Sequence, residues 1–245
     1  MSALISLLLT IYLWFFVLVS FLIVIPVCLF CYPFVDQKTF SKIYLSIPTY
    51  IVFAVMTWPG IWKLNFYDNR HNKKWNKQYV IVSNHLSMID SIVLIYHIPL
   101  KIKFMIAAVF TKIPIFGRLI LASGHITADL HDPSLNQIAV DRAIHTIQKD
   151  HCSFALFPEG RRELVSYKFE RFKTGAYRIA KATNLPILPV TLHGAEKAMG
   201  FGGLVNSATI TIWIDNPFNV LSDNYQKYID YTKSIMEKNL SNYNK

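Results

Sequence analysis

Two long stretches without charged residues open the chain and set its N-terminal third apart. No Asp, Glu, Lys or Arg occurs before Asp36, and none occurs between Lys42 and Lys63. The first stretch, Ala3–Phe30, exceeds the roughly 20 apolar residues that a membrane-spanning helix requires. It lacks the basic start and the short apolar core of a cleaved signal peptide. We therefore predict a retained membrane helix over Ala3–Phe30.

The second stretch, Ile43–Trp62, is less apolar and contains several serine, threonine and proline residues. Its aromatic side chains suit a membrane–water boundary, and they are Tyr44, Tyr50, Trp58 and Trp62. The stretch can span the bilayer, re-enter it or lie in the interface, and a buried helix of the following domain is the alternative. Residues 1–62 are thus predicted to hold two membrane-anchoring helices.

A basic cluster follows this apolar region. It consists of Lys63, Arg70, Lys73, Lys74 and Lys77, and only Asp68 opposes it. Basic residues beside a membrane helix attract anionic headgroups by about 1 kcal/mol per charge and favour the cytoplasmic side. We predict a basic juxtamembrane linker over 63–77 and place the following domain on the cytoplasmic face. An ordinary solvated linker is the alternative.

From Gln78 onward, short apolar runs alternate with stretches of helical periodicity. Strands are expected at Tyr79–Ser83, Lys101–Met105, Ser153–Phe157, Pro186–Leu192 and Ala208–Trp213. Helices are expected at Ser91–His97, Ile138–Lys149, Thr174–Thr183 and in the polar tail after Ser222. Strands that alternate with helices are typical of α/β domains. We predict that 78–245 forms an α/β domain with a mixed, largely parallel sheet flanked by helices.

Composition and charge narrow the class of protein. Hydrophobic residues make up 53% of the chain and charged residues 16%, against about 25% charged residues in an average soluble domain. The net charge of +10 suits an anionic partner. The apolar N-terminus favours a membrane over nucleic acid, for which no motif is found. Cys28 and Cys31 lie in an apolar stretch without a second pair, and the eight histidines lack metal-ligand spacing, so we expect no metal.

A histidine and an aspartate follow the first predicted strand of this domain, in Asn84-His85-Leu86-Ser87-Met88-Ile89-Asp90. The carboxyl end of a strand is where ligands bind in open α/β sheets. Residues five apart point away from each other on a helix. His85 and Asp90 can therefore meet only if His85 lies on the turn and Asp90 lies in the first helical turn. Ser87 is the predicted N-cap, as in a capping box.

Two interpretations of this motif stay open at this point. In one, Asp90 only caps a helix and His85 is a buried loop histidine. In the other, a histidine with its ordinary pKa of about 6.5 accepts a proton from a hydroxyl, and the carboxylate fixes its tautomer. The chain has no Gly-x-Ser-x-Gly elbow. Direct attack by a substrate hydroxyl is therefore favoured over a nucleophilic Ser83 or Ser87.

Two further blocks offer anion-binding side chains. Phe157-Pro158-Glu159-Gly160-Arg161-Arg162 follows a predicted strand. Its glycine lets backbone approach a ligand, and a guanidinium can hold two phosphate oxygens. The alternative is a charged surface turn in which Glu159 pairs with an arginine. Phe172-Lys173-Thr174-Gly175 then opens a predicted helix, where Lys173 and the helix N-terminus form a second anion site.

Five blocks in this order resemble the 1-acyl-glycerol-3-phosphate acyltransferases, the PlsC-like lysophospholipid acyltransferases. They are the HX4D motif His85–Asp90, Ile113–Gly117, Phe157–Arg162, Phe172–Gly175 and Pro186–Val190. The resemblance runs from about Val80 to Gly194. It implies an α/β sheet domain behind an N-terminal two-helix membrane motif, and an O-acyltransferase of phospholipid biosynthesis.

The resemblance implies transfer of a fatty-acyl group from acyl-CoA or acyl-ACP (acyl carrier protein) to the free hydroxyl of a lysophosphatidate-type acceptor, which gives phosphatidate. His85 looks like the general base and Asp90 like its orienting partner. The residues implied at the acceptor phosphate are Glu159, Gly160, Arg161, Arg162 and Lys173. Beyond the acyl donor no cofactor is implied, and the partners are the lipid acceptor, the acyl donor and the bilayer.

Three departures from the family pattern concern the acceptor. Arg161 stands where threonine is common, Ala107 where a phosphate-binding lysine is common, and Asp129-Leu130 where an Asp-Arg pair is usual. One alternative is the same chemistry on another lysophospholipid or on glycerol 3-phosphate. A catalytically silent lipid-binding protein of the same fold is another. The missing nucleophile elbow and the apolar N-terminus oppose a soluble hydrolase.

Overall fold

The computed structural model describes residues 3–31, 50–113, 117, 120–121, 123–129, 133–162, 169, 171–200 and 202–243. Its helices are α1 Ala3–Cys31, α2 Asp90–His97, α3 Pro133–Asp150, α4 Gly175–Thr183, α5 Ala195–Ala198 and α6 Tyr225–Tyr243. Its strands are β1 Trp62–Asp68, β2 Val80–Ser83, β3 Ile102–Ala107, β4 Ile126–Ala128, β5 Ser153–Leu156, β6 Ile187–His193 and β7 Ala208–Ile214. Residues 50–57 are helical, and Ala108–Lys112 forms a 3₁₀ helix.

The seven strands form one sheet in the order β1-β7-β6-β2-β5-β3-β4. β2 pairs in parallel with β5 and β6, and β3 pairs in parallel with β4 and β5. Every residue of β2, β5 and β6 is buried, as is usual for parallel strands covered on both faces. The sheet is mixed and mostly parallel with flanking helices, which confirms the predicted fold class.

All five strands and all four helices that were predicted for 78–245 are present. The largest difference in bounds is at α3, which begins at Pro133 rather than at Ile138. The pattern missed β1, β4 and α5. β4 has three residues and α5 has four, so neither is long enough for a periodicity to be visible.

The segment 63–77, predicted as a basic linker, begins instead with β1 and then contains a buried ion pair. The Arg70 guanidinium donates hydrogen bonds of 2.9 and 2.8 Å to the Asp68 carboxylate and lies 3.5 Å from the centroid of the Trp75 ring. Burial raises the pKa of Asp68, but the hydrogen bonds and charge of Arg70 outweigh it and the pKa is lowered. Arg70 therefore does not belong to the surface cluster, whose exposed members are Lys63, Lys73, Lys74 and Lys77.

The chain divides into two compact units: Met1–Phe66, Leu86–Pro99 and His193–Thr211 form one, and Tyr67–His85, Leu100–Leu192 and Ile212–Lys245 form the other. The core of the second unit is built from β2, β5 and β6 with α3, α4 and α6. α4 contributes one continuous face, on which Ala176, Tyr177, Ile179 and Ala180 are buried. The helix ends at Asn184, whose φ of 55° is typical of a residue that terminates a helix.

In the first unit, α1 is attached through hydroxyl groups in its N-terminal half. Ser6 donates to the Asn206 side chain at 2.6 Å, and the Val205 N–H donates to the Thr10 hydroxyl at 2.9 Å. Leu13 lies on the same helical face and is buried. Much of the remaining surface of α1 is apolar and exposed, including Leu4, Leu8, Ile11, Trp14, Phe15, Leu18 and Leu22. Within the described residues, α1 is the one helix that is long and apolar enough to cross a membrane.

The second apolar segment, Ile43–Trp62, is described only in part, because 43–49 lie outside the described residues. Residues 50–57 are helical, and Phe53 is fully buried. Trp62, which was expected at a membrane boundary, is 1% exposed and is the first residue of β1. In the same described part, Tyr50 and Trp58 are exposed, so the position of this segment relative to a membrane stays a prediction.

Candidate active site

The candidate site begins where β2 leaves the sheet. The pairing of β2 with β6 ends at Ser83, which lies opposite Val190. The next residue, Asn84, is fully buried and bonds to β6 through its side chain. Its Nδ2 donates to the Leu192 carbonyl at 2.9 Å, and its Oδ1 accepts the Leu192 N–H at 2.7 Å. The chain is thus attached to β6 at two points, one residue before His85.

His85 is half-buried and contacts the block that follows β5. Its backbone N–H donates to Glu159 Oε1 at 3.3 Å. Its imidazole ring stacks on Phe157 with the ring centroids 4.2 Å apart and the planes 16° apart. β5 is the neighbour of β2 in the sheet, so the carboxyl ends of these parallel strands lie side by side. The structure therefore brings together two blocks that are more than 70 residues apart in sequence.

Asp90 is buried at the first position of α2 and holds the turn that precedes it. Its Oδ2 accepts the backbone N–H groups of Leu86 at 2.6 Å and Ser87 at 2.8 Å. These are the two residues that directly follow His85 in the chain. His85 lies on the turn and Asp90 in the first helical turn, as the five-residue spacing predicted.

Ser87 was predicted as the N-cap of α2, but the helix begins at Asp90 and its N-cap position is Ile89, so the predicted position was wrong. The Ser87 hydroxyl nevertheless accepts the Ile89 backbone N–H at 3.4 Å. It also donates to the Met199 carbonyl at 2.6 Å. The Asp90 carboxylate accepts the Ser87 N–H, which is the half of a capping box that the acidic residue supplies. Ser87 therefore attaches the turn to the segment that follows α5.

Gly160 and Lys173 join the two predicted anion-binding blocks. Gly160 has a φ of +72°, and a β-carbon there would lie 2.8 Å from both Cε and Nζ of Lys173. The backbone N–H of Lys173 also donates to the Pro158 carbonyl at 2.8 Å. The lysine side chain therefore lies directly over Gly160. Arg161 is exposed and Arg162 is half-buried in the same segment, so three cationic side chains belong to this part of the second unit.

A second carboxylate lies near Asp90 in the first unit and was missed by the sequence reasoning. Glu196 is half-buried on α5. Burial raises its pKa, and the negative charge of Asp90 acts in the same direction. In the same unit, burial lowers the pKa of His193 to about 4, with a further contribution from the charge of Lys197.

Asn84 and Phe157 were quoted as parts of the motifs but were given no role. The sequence held a signal for Asn84, because an amide directly after a buried strand needs polar partners once it is itself buried. Ala107, where relatives often carry lysine, ends β3 and is half-buried. Residues 114–116 of the Ile113–Gly117 block and Leu130 lie outside the described residues. The described residues contain no group of three or more His, Cys, Asp or Glu side chains that could hold a metal ion.

Comparisons with known proteins agree with this arrangement of motifs. A family model described as Acyltransferase matches residues 64–193, which is more than half of the chain. The chain is 27% identical over 161 residues to a 1-acyl-sn-glycerol-3-phosphate acyltransferase of Cocos nucifera, covering 65% of this chain and 52% of the relative. It is 26% identical over 187 residues to the Limnanthes douglasii protein of the same name, covering 76% of this chain and 65% of the relative. The matches thus span about half to two thirds of these curated relatives.

The fold also matches a solved structure along the whole chain. The structure is that of the 1-acyl-sn-glycerophosphate acyltransferase PlsC from Thermotoga maritima, with a TM-score of 0.81 and 21% sequence identity. The alignment covers 100% of this chain and 98% of that protein. At this identity the likeness concerns the fold, and the family follows from the sequence match over 64–193. The chain belongs to the PlsC-like acyltransferase family.

Proposed function

We propose that this protein transfers a fatty-acyl group from an acyl thioester, acyl-CoA or acyl-ACP, to the free hydroxyl of a lysophosphatidate-type acceptor. The observation that carries the proposal is the position of His85. This half-exposed imidazole follows β2 and contacts the block that contains Arg161 and Arg162. A general base beside a cationic block is the arrangement that a hydroxyl on a phosphate-bearing acceptor requires.

In the proposed reaction, an imidazole nitrogen of His85 accepts the proton of the acceptor hydroxyl. The hydroxyl oxygen attacks the thioester carbonyl carbon and forms a tetrahedral oxyanion. When this intermediate collapses, the carbon–sulfur bond breaks and the imidazolium returns its proton to the departing sulfur. The products are the acylated lipid and a free thiol. Asp90 is proposed to hold the imidazole in the required tautomer, as carboxylates do in other histidine-based sites.

The cationic side chains are proposed to bind the acceptor phosphate. Lys173 packs on Gly160, so its ammonium group and the positive-φ turn face the same region. Arg162 is half-buried and Arg161 is exposed. A guanidinium binds two phosphate oxygens at once, whereas the ammonium of a lysine acts as a point charge. We assign the phosphate contacts to these three side chains.

The membrane is the proposed source of the acceptor. α1 exposes apolar side chains along most of its length, and an exposed apolar surface of this size is typical of a membrane-contacting segment. The exposed Lys63, Lys73, Lys74 and Lys77 favour an anionic, cytoplasmic membrane surface. We therefore propose that the catalytic domain acts at the cytoplasmic face.

A second acceptor class is supported by the departures from the family pattern. Ala107 and Leu130 replace cations that are common in relatives. With fewer cations, the site gains less from the double negative charge of a phosphomonoester, so its preference for that headgroup over a phosphodiester with one charge is reduced. The same acyl transfer onto a lysophospholipid with a larger headgroup is therefore the second candidate.

The test uses the full chain purified in detergent, one acyl-CoA and one acyl-ACP, and a panel of acceptors: lysophosphatidate, larger lysophospholipids and glycerol 3-phosphate. The wild-type protein is expected to acylate lysophosphatidate. His85→Ala is expected to lower kcat by roughly 10²–10⁴-fold, which is the usual contribution of a general base. Replacement of the exposed His145 by Ala is the control, because His145 lies on α3 outside the site.

Three outcomes contradict the proposal. If His85→Ala turns over the acceptor as fast as the wild-type protein, His85 is not the general base. No turnover of any acceptor by the wild-type protein favours a catalytically silent lipid-binding protein. Release of free fatty acid without an acceptor favours a hydrolase.

A further inference from the structure

The end of β2 shows an unusual change from backbone to side-chain pairing. β2 and β6 pair in register through Ser83 and Val190. One residue later, the carboxamide of Asn84 takes over and bonds to both the N–H and the C=O of Leu192. A carboxamide carries the same donor and acceptor groups as a peptide unit. The side chain of Asn84 can therefore extend the hydrogen-bond ladder between β2 and β6 by one step while the main chain of Asn84 turns away from the sheet.

The position of His85 depends on this turn of the main chain. Had the backbone of Asn84 continued the ladder, the following residue would remain extended in the sheet. Because the side chain satisfies Leu192 instead, the main chain is free to turn, and the His85 N–H donates to Glu159. The imidazole then stacks on Phe157. Two bonds to one residue fix the orientation of Asn84 as well as its position, which a single hydroxyl bond cannot do.

We propose that Asn84 is a positioning residue that sets the place of the His85 imidazole. This inference rests on the proposed acyl transfer, in which His85 is the general base. Asn84 is fully buried and acts only through the residue that follows it. A displacement of the general base by about 1 Å is enough to lower a rate on the order of 10²-fold.

The chain supplies a matched control in Asn239. This asparagine is also buried and also makes two hydrogen bonds, to the Thr191 hydroxyl at 2.9 Å and to the Asp215 carboxylate at 2.7 Å. Thr191 is the neighbour of Leu192 in β6. Asn239 lies on α6, however, and precedes no site residue. Its loss removes a similar amount of buried hydrogen bonding without releasing His85.

The first measurement compares kinetics and melting temperature of full-length Asn84→Ala and Asn239→Ala. Both variants are expected to melt below the wild-type protein. Asn84→Ala is expected to lose about 100-fold in kcat with KM for acceptor and donor unchanged, and Asn239→Ala to keep kcat. If Asn84→Ala does not fold, Asn84→Ser replaces it, because the serine hydroxyl is uncharged and can make one bond to Leu192 without fixing the orientation.

The second measurement does not depend on activity. In protein with ¹³C-labelled histidine, the His85 ring signal is identified as the one missing from His85→Ala, and stacking on Phe157 shifts it upfield. The shift is expected to fall in the Asn84 variant and to persist in Asn239→Ala. Retention of kcat by a folded Asn84 variant, or an unchanged ring signal, overturns the inference. A wild-type protein without acyl transfer refutes the proposed function alone, since the ring signal still tests the placement of His85.

Discussion

Glu159 bonds to the backbone of the proposed base, and we propose that it holds this turn rather than the acceptor. Its Oε1 accepts the backbone N–H of His85 at 3.3 Å. A carboxylate repels phosphate, and cations lie in the same segment at Arg161, Arg162 and Lys173. The resemblance to the family had suggested Glu159 as part of the phosphate-binding block. The geometry supports a role in holding the turn instead.

Replacing Glu159 separates these roles by kinetics. Glu159→Ala loses a hydrogen bond worth about 1 kcal/mol or somewhat more, so kcat is expected to fall roughly fivefold to thirtyfold. Glu159→Gln keeps an acceptor oxygen and is expected to lose less. KM for the acceptor should stay constant in both, and the exposed Glu237→Gln on α6 is the control. A raised acceptor KM with constant kcat would contradict this assignment.

At the same scale, sequence reasoning reached the site residues by type and spacing but not their partners. His85 and Asp90 were selected because a strand precedes them and a helix follows. The partners of Ser87 and Asn84 are Met199 and Leu192, which are 112 and 108 residues away. Local sequence patterns carry no information about contacts at that separation, so these two partners could not be predicted.

At the scale of elements, the connection from β6 to β7 depends on one glycine. Gly194 has a φ of +82°, and a β-carbon there would lie 2.0 Å from the Thr209 carbonyl oxygen. No side chain can occupy that position unless the backbone moves. Gly203 offers a comparison in the same connection, because its φ is +75° and a β-carbon there would meet nothing within 4 Å.

Replacing each of these two glycines by alanine therefore separates two effects. Gly203→Ala introduces only the backbone strain of a positive φ, whereas Gly194→Ala adds the close approach to the Thr209 carbonyl. Gly203→Ala is expected to cost about 1–2 kcal/mol, the usual penalty of a left-handed conformation. This corresponds to a fall in melting temperature of about 2–8 °C for a chain of this size. Gly194→Ala is expected to lose clearly more, or to prevent folding, in thermal unfolding of the purified protein. Equal losses would show that Thr209 adapts at no cost.

Strongly periodic elements were predictable, whereas short ones were not. β2, β5 and β6 are mostly apolar and fully buried, and α4 has a helical apolar face. β1 was not predicted because Lys63 and Asn65 interrupt its apolar residues, and the lysines that follow indicated a linker. The strand order could not be predicted from the sequence either, because it depends on pairings such as that of β2 with β6, which lie about 100 residues apart.

At the scale of the whole molecule, two buried histidines make stability depend on pH. Burial lowers the pKa of His125 to about 4, with a further contribution from the charge of Lys103, and burial also lowers that of His193 to about 4. The unfolded chain, with an ordinary histidine pKa of about 6.5, binds more protons between these values. Stability therefore falls as the pH drops from about 6.5 towards 4. For His125 the effect is on the order of 3 kcal/mol over that window.

We expect the melting temperature to be lower at pH 5 than at pH 7, with part of the difference removed in His125→Asn. The asparagine Oδ1 can replace His125 Nδ1 as acceptor of the Phe104 N–H but does not titrate. His145→Asn, on the exposed face of α3, should leave the pH dependence unchanged. An equal pH dependence in His125→Asn and the wild-type protein would exclude His125 as a source.

The hydroxyl contacts of α1 affect how this helix can be removed from the protein. Ser6 and Thr10 bond to Asn206 and Val205, and the Asn206 carbonyl also accepts the Trp62 indole N–H at 3.1 Å. A version shortened at its N-terminus, made to obtain a water-soluble enzyme, would strip hydrogen-bond partners from the 205–206 segment and expose the apolar surface beneath Leu13. Solubility is better pursued by replacing the outward-facing leucines and aromatics of α1 with polar residues while its inner face is kept.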